Sequence, residues 1–201
     1  TMTVRKILVY PEYKSELRQK SEAVNLNAHQ LKQIIEDLQD TLQASGDGIG
    51  LAAPQINIHQ RVVIVCLGAE VDGIWQAGPP QALINPQIVE MSDERKDFDG
   101  CLSFPGLYGE TVRPHHLRVV GMNEQRQPFD RLIEGFNAVV VHHEIDHLDG
   151  VLFIDRIESL NDLYTIHENK RGEMVKVPYT EILRRHENFD SIDTFIGKKQ
   201  A

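Results

Sequence analysis

The run VVVHHEIDHLDG, residues 139–150, gathers three histidines, one glutamate and two aspartates behind three valines. His143 and His147 are four residues apart. On a helix that spacing puts both imidazoles on one face about one turn apart, within reach of a single metal ion. Glu144 does not share that face well enough to be a third ligand, but it can stand beside the metal as a general base for water. The pattern is HExxH, written here HEIDH, and alone it is short enough to arise by chance. A surface helix with solvated His and Glu side chains is the competing reading; the apolar NAVVV in front of it argues for burial. His142 is rotated about 100° from His143, so it is expected off the metal, as a packing or hydrogen-bonding residue. Asp146 is expected to ion-pair rather than ligate, and Asp149 to sit near the helix end.

The third ligand decides the chemistry. A metzincin peptidase would carry a further histidine where Phe153 stands. A thermolysin-like peptidase would take a glutamate from a later helix, and Glu168, 21 residues past His147, keeps that option open. Upstream, Cys101 in DGCLSFPG offers a thiolate. With two histidines it makes a three-ligand site with an open position, the catalytic arrangement. The alternative for Cys101 is a small buried residue, which is also the expected state of Cys66 in its valine-rich strand.

A second segment, GIGLAAPQ (48–55), points toward the same kind of site. Gly48, Gly50 and Ala53 match GxGxxA, but a dinucleotide fingerprint follows a strand and opens a helix. This segment follows a helix, and Pro54 stands where a new helix would have to run. It reads as a tight loop whose backbone approaches a ligand, with Gln55 able to present a neutral amide donor to a developing oxyanion.

The elements that must position these groups follow from periodicity. Residues 27–45 place Leu31, Ile34, Ile35, Leu38 and Leu42 at helical spacing, with Gly46 as a stop. RVVIVCL (61–67), ALINPQIVEM (82–91) and LRVVGMNE (117–124) read as strands. PFDRLIEG continues a hairpin, and the helical period returns from Phe136 to about His147. Residues 159–170 read as polar and helical. Helices and strands do not alternate, which favours an α+β fold. The 201 residues, 41% hydrophobic, suit one domain over 1–201. A formal net charge of −9 argues against direct DNA binding. No apolar run approaches the roughly 20 residues of a membrane span. The first residues, TMTVRKILVYPEY, lack the features of a secretory signal, so a reducing, cytoplasmic setting is expected for both cysteines.

Taken together, GIGLAAPQ, DGCLS and HHEIDH resemble, in order, the GxGxAAxQ, EGCLS and QHExDH motifs of the peptide deformylases. The resemblance covers about residues 3–157, with 158–201 a C-terminal extension of uncertain structure. It implies antiparallel β-sheets packed around a central helix carrying the HExxH metal motif. It implies removal of formyl from the N-terminal formyl-methionine of newly synthesised polypeptides, releasing formate. It assigns Cys101, His143 and His147 as metal ligands, Glu144 as general base, and Gln55 with the Leu102 backbone N–H as oxyanion donors. The ion it implies is Fe2+, with Zn2+, Ni2+ or Co2+ able to substitute. The partners are N-formyl-methionyl nascent peptides, and transient ribosome association is left open. Asp99 replaces the glutamate of EGCLS, His142 replaces the glutamine before HExDH, and Tyr108 stands where many members have arginine.

Val139 and Val140 lie four and three residues before His143, one turn back on the metal-bearing face. Ile49 and Gly50 in the first loop, and Leu102 beside Cys101, are tied to the same centre. These residues suggest an aliphatic pocket that suits methionine. Two other readings remain at this point: a zincin-type metallopeptidase using Glu168, and a non-catalytic metal-binding homologue.

Overall fold

A computed structural model of the chain describes residues 2–25 and 27–185. After a short turn of helix, α1 (Lys14–Leu17), the first long element is α2 (Ala28–Ala44). Asn27 starts α2 with a capping box: its side chain accepts from the Gln30 N–H at 2.9 Å, and the Gln30 side chain accepts from the Asn27 N–H at 3.3 Å. Leu31, Ile34, Ile35, Leu38 and Leu42 are buried, as their spacing predicts, and Gly46 follows with φ +93°.

Strands β1 (Gly50–Ala52), β2 (Val62–Val65), β5 (Gln81–Gly100), β6 (Leu107–Met122), β7 (Pro128–Glu134), β8 (Leu163–Glu168) and β9 (Met174–Pro178) form one seven-stranded antiparallel sheet. Its order is β1-β2-β5-β6-β8-β9, with β7 also on β6. A separate hairpin joins β3 (Ala69–Val71) to β4 (Ile74–Gln76). Helix α3 spans Phe136–Leu148, and α4 spans Tyr179–Arg185.

β2 explains how two helices share one sheet. Val62 and Ile64 join the core cluster of α2, while Val63 and Val65 join that of α3. With both faces covered, the strand reads as an unbroken apolar run. Helix α3 is buried continuously from Ala138 to Leu148. That removes the surface-helix reading of HEIDH, because His143, Glu144 and His147 are only 6%, 5% and 1% exposed.

Two sequence expectations are corrected. Part of GIGLAAPQ is not loop: Gly50–Ala52 pair with β2, and Ala53–Ile56 form a 3-10 turn with Pro54 in its first turn, where a missing N–H is tolerated. Residues 159–170 are not an α-helix. A 3-10 turn at Leu160–Asp162 leads into β8, whose Leu163, Tyr164 and Thr165 pair with Gly109, Tyr108 and Leu107. An open edge on β6 overrides the local helical pattern. Residues 186–201 of the expected C-terminal extension lie outside the described residues.

Candidate active site and metal centre

Cys101 stands one residue past the end of β5, in the turn to β6, and faces α3. Its Sγ lies 3.4 Å from His147 Nε2, which lies 3.2 Å from His143 Nε2. The donor atoms of the three residues all fall within 4.8 Å of one another. One thiolate and two imidazoles are a donor set suited to Zn2+, Fe2+ and related ions. The orientation of His143 also fits, because its Nδ1 donates to Asp99 Oδ1 at 2.8 Å and so turns Nε2 toward the other two donors.

Asp99 belongs to a buried charge network. Its Oδ2 accepts from Thr111 Oγ1 and Arg113 Nε, each at 2.8 Å. Arg113 Nη1 reaches Asp146 Oδ2 at 2.7 Å and donates to His142 Nδ1 at 2.7 Å. Arg156 holds Asp146 through two bonds of 3.0 and 2.8 Å. Burial alone would raise the Asp99 pKa, but His143 and Arg113 outweigh it and hold the carboxyl well below its ordinary range. Burial pulls His143 down, yet Asp99 and Glu144 lift it well above the usual histidine value. A metal entering would displace that proton. Burial, reinforced by His143, keeps His147 well below the usual value. Burial also brings His142 down to about 4, with Arg113 and Arg156 adding to the effect and Asp146 opposing it.

Sequence reasoning expected His142 to pack or hydrogen-bond and Asp146 to ion-pair, and both do so through Arg113. It missed Arg113, which is 1% exposed. A signal was available: Thr111, Arg113, His115, Leu117 and Val119 alternate inward along β6, so the strand period puts an arginine inside.

Glu144 lies against Gly50 at the start of β1. A Cβ on Gly50 would lie 2.5 Å from Glu144 Oε2, so only glycine permits this approach. Glu144 Oε1 is buried without a hydrogen-bond partner, and burial raises the carboxyl pKa to about 7. Gln55 is pinned at both ends of its amide: Oε1 accepts from the Ala52 N–H at 2.9 Å, and Nε2 donates to Ser103 Oγ at 3.1 Å. The same Nε2 lies 3.7 Å from Cys101 Sγ.

A cavity of about 450 Å³ opens on this group. Ile49, Gly50, Gln55, Cys101, Leu102, Val139, Val140, His143 and Glu144 all line it, which brings nine of the sequence-derived candidates onto one surface. His147 reaches the group through its contacts with Cys101 and His143. Its exposed end carries aromatic residues that sequence reasoning did not single out, among them Trp75, Phe98 and Phe136, together with Tyr108. Glu168 does not join the site: it is an exposed strand residue at the end of β8, outside the metal-competent group. Cys66 is a free buried thiol packed in the α2 core. Asp149 caps the end of α3 and pairs with Arg61 at 2.9 Å.

This geometry agrees with comparisons to known proteins. Residues 4–162 match the family described as polypeptide deformylase. The chain is 40% identical to peptide deformylase 1 of Bacillus subtilis over 158 residues, covering 79% of this chain and 92% of that one. It is 37% identical to the peptide deformylase of Thermomicrobium roseum, covering 84% and 94%. Among solved structures, a peptide deformylase from Legionella pneumophila superposes with a TM-score of 0.68 at 34% identity, covering 79% and 88% of the two chains. The Met-Ala-Ser-bound enzyme from Acinetobacter baumannii gives 0.69 at 30%, covering 78% and 100%. The match spans all three motif segments and nearly the whole length of these relatives, and the chain belongs to the polypeptide deformylase family.

Proposed function

We propose that this chain removes the formyl group from the N-terminal formyl-methionine of newly made polypeptides, releasing formate, and that residues 1–201 act as one catalytic domain. The observation that carries the reading is the convergence of Cys101, His143 and His147 beside Glu144, whose Oε1 has no hydrogen-bond partner, on a largely apolar cavity. In this reading α3 is the central, metal-carrying helix.

Cys101, His143 and His147 would hold a divalent ion, which when bound would supply Lewis acidity toward the formyl carbonyl. Fe2+ is the ion we favour, from the family resemblance, with Zn2+, Ni2+ or Co2+ as substitutes. Glu144 takes a proton from the attacking water and delivers it to the leaving amine nitrogen as the C–N bond breaks. The buried carboxyl has an oxygen with no hydrogen-bond partner, which leaves it available for both transfers. Gln55 Nε2 and the Leu102 N–H donate to the oxyanion of the tetrahedral intermediate. The hydrogen bonds of Gln55 to Ala52 and Ser103 fix which end of its amide faces the cavity. Val139, Val140, Ile49 and Leu102 receive the methionine side chain. The substrates in this reading are N-formyl-methionyl nascent peptides, and the setting is the cytoplasm. Among the described residues no helix is long and apolar enough to cross a membrane.

The test is anaerobic formate release from formyl-Met-Ala-Ser, with metal content measured on the same sample. Bound metal without formate release would make the chain a non-catalytic homologue.

A further inference from the structure

The family match ends at residue 162, and β8 begins at Leu163. The hairpin β8–β9 nevertheless reaches the cavity in one step. Tyr108 on β6 lines the cavity and is the direct cross-strand partner of Tyr164 on β8. Their rings stack with centroids 6.3 Å apart and planes inclined by 27°. Tyr108 also stacks on Phe98, another lining residue, at 5.8 Å and 25°. The Tyr108 ring lies over the backbone beside Cys101: a Cβ on Gly100 would sit 3.0 Å from Tyr108 Cδ1.

Tyr164 is itself well held. It is 7% exposed, and the Lys176 ammonium of β9 lies 4.5 Å from its ring centroid. Its hydroxyl is buried without a hydrogen-bond partner, so whatever the residue contributes comes from the ring. Leu163 packs tightly on Gly109, where a Cβ would come within 2.9 Å of Leu163 Cδ2. The hairpin therefore cannot shift on β6 without moving the ring behind Tyr108.

We propose that the β8–β9 hairpin is a specificity-determining part of the site, with Tyr164 as its positioning residue. Tyr164 holds Tyr108 against Phe98, and this aromatic wall receives the residue that follows formyl-methionine. The inference rests on the deformylase reading. With the formyl group at the buried donors and methionine among the valines, the rest of the peptide leaves by the exposed end, where Phe98 is 45% exposed. Flat, apolar ring faces favour an aromatic or bulky apolar residue there.

Formyl-Met-Ala-Ser and formyl-Met-Phe-Ser, assayed with wild type, Tyr164→Phe, Tyr164→Leu and Tyr164→Ala, separate the possibilities. Trp75 is the sole tryptophan and lines the same cavity. Its fluorescence reports binding of the products Met-Ala-Ser and Met-Phe-Ser without turnover. Wild type is expected to favour the phenylalanine peptides in KM and in product affinity, by roughly fivefold. Tyr164→Ala and Tyr164→Leu are expected to lose that preference while kcat and metal content hold, and Tyr164→Phe to behave as wild type. If Tyr164→Ala does not fold, Tyr164→Leu carries the test, since it keeps apolar bulk without a flat ring. Equal preference in wild type and Tyr164→Leu would overturn the proposal, as would Tyr164→Phe failing like Tyr164→Leu. Formate release by the wild type decides the deformylase reading; the ratio between the two peptides decides the role of the hairpin.

Discussion

His143 Nδ1 donates to Asp99 Oδ1 at 2.8 Å, and that one bond links an imidazole of the Cys101–His143–His147 group to a carboxylate held by Arg113 and Thr111. The shorter carboxylate at position 99 thus still reaches His143. Groups that orient a ligand in this way typically contribute 10–100-fold to metal affinity. Asp99→Asn is expected to weaken metal binding by about that factor in a chelator competition. Unchanged affinity alongside lowered stability would make Asp99 a partner of Arg113 alone.

Gln55→Leu should fold, keep its metal and slow the chemical step. Losing one oxyanion donor costs about 10²–10³ in kcat. The amide is already fixed by Ala52 and Ser103, so no reorganisation is required on reaching the transition state. A rise confined to KM would make Gln55 a binder of the ground state.

Val140 is 4% exposed and lines the cavity one turn from His143. Val140→Phe should shrink the methionine site and move preference toward smaller first residues. A change of this size is worth roughly 1–3 kcal/mol. Comparing formyl-Met, formyl-norleucine and formyl-Ala peptides reads the shift. An unchanged order in a folded, metal-loaded variant would remove Val140 from the pocket.

His142 gives a pH signature. Burial, with Arg113 donating to its Nδ1, keeps the ring neutral in the folded state and brings its pKa down to about 4. Unfolded histidine titrates near 6.5. Between these values the unfolded chain takes up a proton that the fold refuses. Stability is therefore full above about pH 6.5 and falls as the pH drops toward 4, by an amount on the order of 3 kcal/mol. Glu144, raised to about 7, acts with the opposite sign over an overlapping window. His142→Gln removes the first effect and keeps the second, so the difference between the two proteins isolates His142. Urea unfolding from pH 4 to 7 should show wild type losing stability relative to His142→Gln as the pH falls. A constant difference would contradict the assignment.

Much of this was legible because each element declared itself locally. α2 carries both its apolar stripe and its cap, and α3 carries the metal spacing. The three motif segments hold the residues that the fold gathers around one cavity. What the sequence hid depends on distant pairing. The second half of β5, through Glu94, Arg95 and Lys96, has no apolar period; it is a strand because β6 pairs along it. β8 looks helical until the open edge of β6 is supplied. Arg113 looks like a surface charge until Asp99 and Asp146, on different elements, close around it. Tyr108 and Phe98 come from adjacent strands but meet only through register.

The central claim is that Glu144 transfers protons for a metal held by other residues. Glu144→Ala tests it most directly, with metal content and formate release from formyl-Met-Ala-Ser measured on one preparation. The account predicts full metal content and a loss of turnover of about 10²–10⁴-fold, the range for a general acid–base group. Near-normal turnover in a metal-loaded Glu144→Ala protein would contradict it.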